Sequence, residues 1–149
     1  DEAIKYHQSS LKLREDLYSK YGDEDIKDYI FTSKENIAND HYQAGKLVDA
    51  VRLRLSFLPD FQKYYGDKPH IKKFVTLRNI GDTCKSIVVA LRNGETVAGA
   101  SKDDLPEYEK MAIQYLEESK RMREAIDNHK DIIKRIDESL RIVKGNVQN

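Results

Sequence analysis

At 149 residues the chain has the length of one ordinary domain and can bury a sizeable core. Its 26 Lys and Arg balance 26 Asp and Glu, which excludes a global electrostatic pull toward nucleic acid or an anionic membrane. A single cysteine excludes an intramolecular disulfide framework and a cysteine-rich zinc site. No apolar run approaches the roughly 20 residues that span a bilayer.

Charged residues make up 35% of the chain and hydrophobic ones 39%, with no Trp and three Pro. That balance suits helices with one apolar stripe and a solvated outer face. The apolar residues are periodic rather than sparse, which argues against disorder. The chain starts at Asp1 without Met, so a processed mature chain or an excised domain is expected, and its compartment stays open between the cytoplasm and the outside of the cell.

The first helix is expected near 2–21, with Ile4, Leu11, Leu17, Tyr18 and Tyr21 as a loose stripe and Gly22 as its stop. Asp23 then caps a short helix near 24–31. Thr32-Ser33-Lys34-Glu35 reads as a capping box, so a long helix is expected near 33–58. Its stripe is Ile37, His41, Ala44, Val48, Val51, Leu55 and Leu58, and Pro59 ends it. Phe61, Tyr64 and Tyr65 form either one more turn that plugs the end of the fold or an aromatic anchor for a partner.

A further helix is expected near 68–92, with Pro69 in its first turn and Asn93-Gly94 as its stop. Gly81 lies on its inner face, where it permits close approach of a second helix. Residues 95–100 read as a flexible loop of small residues. Ser101 with Asp104 then gives a second capping signal.

The last helix is expected near 103–144. Leu105, Tyr108, Ala112, Tyr115, Ser119, Met122, Ile126, His129, Ile133, Ile136, Leu140 and Val143 recur at alternating threes and fours, a coiled-coil seam. At ~1.5 Å per residue this helix would be roughly 60 Å long, against roughly 35–40 Å for its neighbours. Part of it should then project and seek a partner. The expected architecture is one all-α domain over 1–149, an up-down antiparallel bundle of about four main helices with a long coiled-coil-like C-terminal helix.

The leading functional expectation is non-enzymatic: a scaffold, subunit or sensor-like domain that binds a protein partner or itself. Ile126, His129, Ile133, Ile136, Leu140 and Val143 are the expected interface. Basic residues of the last helix, such as Lys120, Arg121 and Lys134, interleave with Glu124, Asp127 and Asp131, so nucleic-acid binding is not expected. His7, His41 and His129 fall near apolar stripes on three helices, but at ~1.5 Å per residue their heights differ by roughly 10–25 Å. No metal, haem or other cofactor is therefore expected. Cys84 reads as a small core residue.

Arg123 and His129 have the Arg-x5-His spacing on a late helix, which resembles the signature of HEPN ribonucleases, an all-α dimeric family. The resemblance covers two residues. It implies an alternative function, RNA cleavage, with Arg123 and His129 acting on the 2′-hydroxyl and the phosphate. Glu124 departs from it, since a carboxylate there opposes phosphate.

Overall fold

A computed structural model describes residues 2–145. Six α-helices and one 3-10 turn make up the chain, 84% of it helical and without a strand among the described residues. They are α1 (Glu2–Tyr21), α2 (Glu24–Gln43), α3 (Leu47–Tyr65), α4 (Ile71–Arg92), the 3-10 turn (Lys102–Asp104), α5 (Leu105–Ile126) and α6 (Lys130–Lys144). Each helix packs against its neighbour in the chain, and α6 also reaches α4. Among the described residues no helix is long and apolar enough to cross a membrane.

Several helix ends fall elsewhere than the sequence pattern places them; α4 begins at Ile71 behind a His70 cap, so Pro69 precedes the helix instead of opening it. The expected helices at 24–31 and 33–58 are instead α2 and α3, divided at residues 44–46. Gly45 sits at φ 79°, its N–H bonds Tyr42 C=O, and the Lys46 N–H bonds His41 C=O. That double closure is a Schellman motif, which needs a left-handed residue and so a glycine. Thr32-Ser33-Lys34-Glu35 is not a cap but the middle of α2, where the Thr32 hydroxyl donates to Asp28 C=O.

Pro59 does not end α3, which continues to Tyr65. An internal proline costs about 3 kcal/mol. Phe57 and Phe61 on either side of it are 5% and 1% exposed, and burying two such rings offsets that cost at about 1.5–3 kcal/mol each. Phe61 stacks on Phe31 of α2 with centroids 4.0 Å apart, and Tyr64 and Tyr65 join this cluster. The aromatic residues plug this corner of the fold.

The expected 103–144 helix is cut at Asp127–His129 and the chain reverses. Asn128 takes φ 49°, which asparagine tolerates better than most residues. Asp127 Oδ1 accepts the His129 N–H at 3.2 Å, and its carboxylate takes two 2.8 Å bonds from Arg123. α6 then runs back along α5, tied by Lys120–Asp137 at 2.9 Å and Lys144–Glu117 at 3.4 Å. Among the described residues there is no 60 Å projecting helix. The segment 95–100 is also held: Val97 is buried in the core, and the Ala100 N–H bonds Val97 C=O at 3.1 Å.

The main core lies where α4 meets α3, α5 and α6, with Val51, Ile80, Cys84, Ile87, Leu116, Ile136 and Val143 at its centre. Gly81 makes the α4–α5 contact close, as its position on the inner face suggests. A Cβ there would lie 2.7 Å from Leu116 Cγ and 3.0 Å from the Leu116 backbone nitrogen. Gly81→Ala gains about 1 kcal/mol of helix propensity but forces an overpacked contact worth about 1–3 kcal/mol. The backbone atom cannot rotate away, so the clash wins. Urea unfolding should show a net loss of up to about 2 kcal/mol, relieved in the Gly81→Ala/Leu116→Ala double variant relative to the sum of the singles.

Candidate functional site

The residues expected to form an intermolecular seam lie mainly inside the molecule. Ile136 is 0% exposed, and Leu140 and Val143 are buried with it in the main core. Ile126 and Ile133 are half-buried and His129 is exposed. Polar ties fix α6 from the α4 side: Lys85 donates to the Ser139 hydroxyl at 3.0 Å, and Arg92 donates to the Ile142 and Val143 carbonyls. The apolar period of the α5–α6 segment thus serves the chain's own core. The geometric reason for expecting a partner there, a helix outrunning its neighbours, is absent.

Arg123 and His129 are not arranged for phosphate chemistry. The Arg123 guanidinium is buried, neutralised bidentately by Asp127 and laid over the Phe74 ring at 5.1 Å. His129 stands outside both helices as the first residue before α6. The pair that resembles a ribonuclease signature instead builds the reversal between α5 and α6.

Two of the other histidines, His7 and His41, share one end of the fold, away from His129. His7 Nδ1 lies 2.7 Å from Asp40 Oδ2, which pins α1 to α2. His41 follows on α2, its Nδ1 buried without a hydrogen-bond partner. Both lie toward the end of the molecule where α4 finishes, since Tyr42 reaches Ser86; His129 lies toward the end where α4 starts, beside Arg123 and Phe74. Among the described residues no group of three His, Cys, Asp or Glu could hold a metal ion. Burial pushes the Cys84 thiol up to about 12, so it is a protonated core group rather than a nucleophile.

A groove of ≈ 530 Å³ runs between α5 and α6, lined by Glu117, Lys120, Arg121, Glu124, Asp137, Leu140, Arg141 and Lys144. Two of its four cations are already paired across it, and three carboxylates share it. Its charges compensate one another and select no ligand sign.

The polar residues that matter most to the interior were not visible in the pattern. Arg54 of α3 is 2% exposed and donates to Glu35 Oε2, Thr83 Oγ1 and Asn39 Oδ1, each at 3.0 Å. Glu35 also accepts from Thr76 at 2.7 Å and Asn79 at 3.1 Å. This network joins α2, α3 and α4, is fully partnered and offers no open coordination to a ligand. The only signal for it in the sequence is an arginine in the register of an apolar stripe, between Val51 and Leu55.

Among the described residues the largest aligned exposed apolar set lies on α1. None of its residues is buried. Its looseness as a stripe has a simple cause: it carries two. Ile4, His7, Leu11, Arg14 and Tyr18 are half-buried against α2, with Tyr18 meeting Tyr64 of α3 edge-on at 5.1 Å. Tyr6, Leu13, Leu17 and Tyr21 form the second, at spacings of seven, four and four residues. At 3.6 residues per turn these four fall within roughly 80° of arc and extend over roughly 22 Å of helix. They are 72%, 60%, 36% and 65% exposed, and Tyr29 of α2 adds a third exposed ring at 55%. Arg14 braces that ring, donating to the Tyr29 carbonyl at 2.9 Å with its guanidinium 5.2 Å from the ring centroid. Compared with protein-family models, with curated proteins and with solved structures, the chain matches none.

Proposed function

We propose that this chain is a non-enzymatic protein–protein interaction domain whose contact surface is the outer face of α1. The observation that carries the reading is the aligned exposure of Tyr6, Leu13, Leu17 and Tyr21 on a helix that buries none of its own residues. Single exposed apolar residues are ordinary, but an aligned set mixing Tyr and Leu has the composition of an interface centre. Lys5, Lys12, Lys20, Glu2 and Asp16 on the same helix are exposed and supply a mixed polar rim. The remainder of the fold acts as the scaffold: α2 seats α1, and the Arg54 network fixes α2 on α3 and α4.

The test is a photocrosslinking amino acid placed at Leu13, with Gln114 on the exposed side of α5 as the control position. A discrete protein adduct is expected from Leu13 and not from Gln114, and it should vanish with Leu17→Asp. Equal labelling at both positions, or none at Leu13, overturns the reading. The Leu13→Asp variant should keep its circular dichroism and its unfolding midpoint to within about 0.5 kcal/mol, because that side chain is mostly in water.

A further inference from the structure

The junction between α3 and α4 is closed by one imidazole. His70 is the N-cap of α4, and its Nδ1 accepts the Lys72 backbone N–H at 3.0 Å. That bond requires a lone pair on Nδ1, so the ring proton resides on Nε2. Nε2 faces Asp28 Oδ1 of α2 at 3.5 Å. The ring is stacked on Tyr65 at the end of α3, with centroids 3.9 Å apart and planes inclined by 23°. Tyr65 donates its hydroxyl to the same Asp28 oxygen. One neutral ring therefore joins the first turn of α4 to the last turn of α3 and to the start of α2.

We propose that this junction is an acid-released clasp: neutral His70 caps α4 and holds it to α2 and α3, and protonated His70 gives up the cap and frees the first turn of α4. The reason is donor arithmetic. An imidazolium has two N–H donors and no acceptor, so Nδ1–H would confront the Lys72 N–H. No rotation about the ring restores an acceptor, because both nitrogens are then protonated. The Lys72 amide is left without its partner in a helix end that has no other side-chain cap.

The charged and titratable groups facing the ring pull in opposite directions. Asp28 on α2 favours the imidazolium, but its carboxylate is half-exposed and already occupied by the Tyr65 hydroxyl. Lys72 on α4 opposes it, with its ammonium held close by a 2.9 Å bond to Thr32 Oγ1. From α3 the facing group is Tyr65, kept protonated by burial and by its bond to Asp28. Lys27 on α2 lies 5.9 Å from the Tyr65 centroid and is paired with Glu24 at 2.7 Å. Burial of the ring, the largest influence, decides the balance and lowers His70 below the ordinary value of 6.5. Below that value the unfolded chain binds the proton that the folded one refuses, so the clasp stabilises at neutral pH and its contribution is lost as the pH falls from 6.5 through the folded value.

The experiment is amide hydrogen exchange on the full chain at pH 7.5 and pH 5.0, corrected for intrinsic rates, read at Lys72 and Phe74. Protection should fall about fivefold at the lower pH, the size of one lost N-cap. His70→Asn keeps a neutral cap at every pH, so its protection at these amides should be the same at both. Unchanged protection in the wild type, or an equal fall in His70→Asn, overturns the proposal; the second result would move the cause to another group such as His7 with Asp40. Nitrogen-15 spectra of the wild-type imidazole give a readout independent of the variant. They should show the Nε2–H tautomer at pH 7.5, and an Nδ1–H tautomer there refutes the clasp even if His70→Asn does not fold.

Discussion

Replacing Arg54 by Met should destabilise the fold by about 3–5 kcal/mol, the usual cost of removing one partner from a buried ion pair. Methionine fills much of the arginine's volume, so little of this loss comes from a cavity. It comes from three groups left behind. Glu35 loses its counter-ion, and Asn39 and Thr83 each lose a donor inside the α2–α3–α4 junction. Glu35 keeps Thr76 and Asn79 but now carries an uncompensated charge at a site 14% exposed. Glu35→Gln in the same chain removes that charge while leaving an oxygen to accept from Thr76. The double variant should therefore recover about 1 kcal/mol or more relative to additivity. Urea midpoints of the four proteins in the cycle decide it. A loss below about 1 kcal/mol for Arg54→Met would mean that the guanidinium is hydrated rather than buried.

The places where the sequence pattern holds and where it fails share one physical cause. Apolar periodicity reports which face of a segment is dry, and says nothing of whether the chain reverses on the way. Ile37 is buried and His41 half-buried before Gly45, and Val48 and Val51 face inward after it, so the stripe from 33 to 58 continues in register through a complete helix end. Ala112 and Ser119 before Asn128 and Ile136 and Val143 after it behave likewise, since α5 and α6 both turn toward α4. Helix ends written in special residues were legible: Gly22, Asn93-Gly94 and the Ser101–Asp104 box all stand where the pattern puts them. Gly45 and Asp127-Asn128 carry the same kind of signal but lie within an unbroken stripe, which hides them. Glu35 hides its role for a related reason. A Ser/Thr followed by Glu looks the same in a capping box as in mid-helix, and only a buried arginine nineteen residues later tells the two apart. The outer face of α1 escaped because a search for one stripe reads two adjacent stripes as a single poor one.

The second large effect is expected at Ile136. Two outcomes separate a seam offered to a partner from a helix folded into its own core. If α6 were an exposed seam, Ile136→Asp would abolish association and leave the unfolding transition alone. The geometry requires the opposite. Ile136 is 0% exposed among Ile80, Cys84 and Leu116, and α6 is held by Lys85 and Arg92 of α4 and by Lys120 of α5. Removing the aliphatic side chain alone costs about 2–5 kcal/mol, and a carboxyl in its place adds desolvation unless it binds a proton. The sum should reach about 4 kcal/mol or more, with a fall in Tm of roughly 10–15 °C for a chain of this size. A buried aspartate keeps its proton more readily than one in the unfolded chain, so the penalty should shrink as the pH falls toward 4. Ile133→Asp, three residues away and half-buried, should cost only about 1–2 kcal/mol. Thermal unfolding of both variants beside the wild type, followed at the helical circular dichroism band, gives the answer. A wild-type Tm for Ile136→Asp would mean that α6 does not close the core, and the surface assigned to α1 would then have a rival on α6.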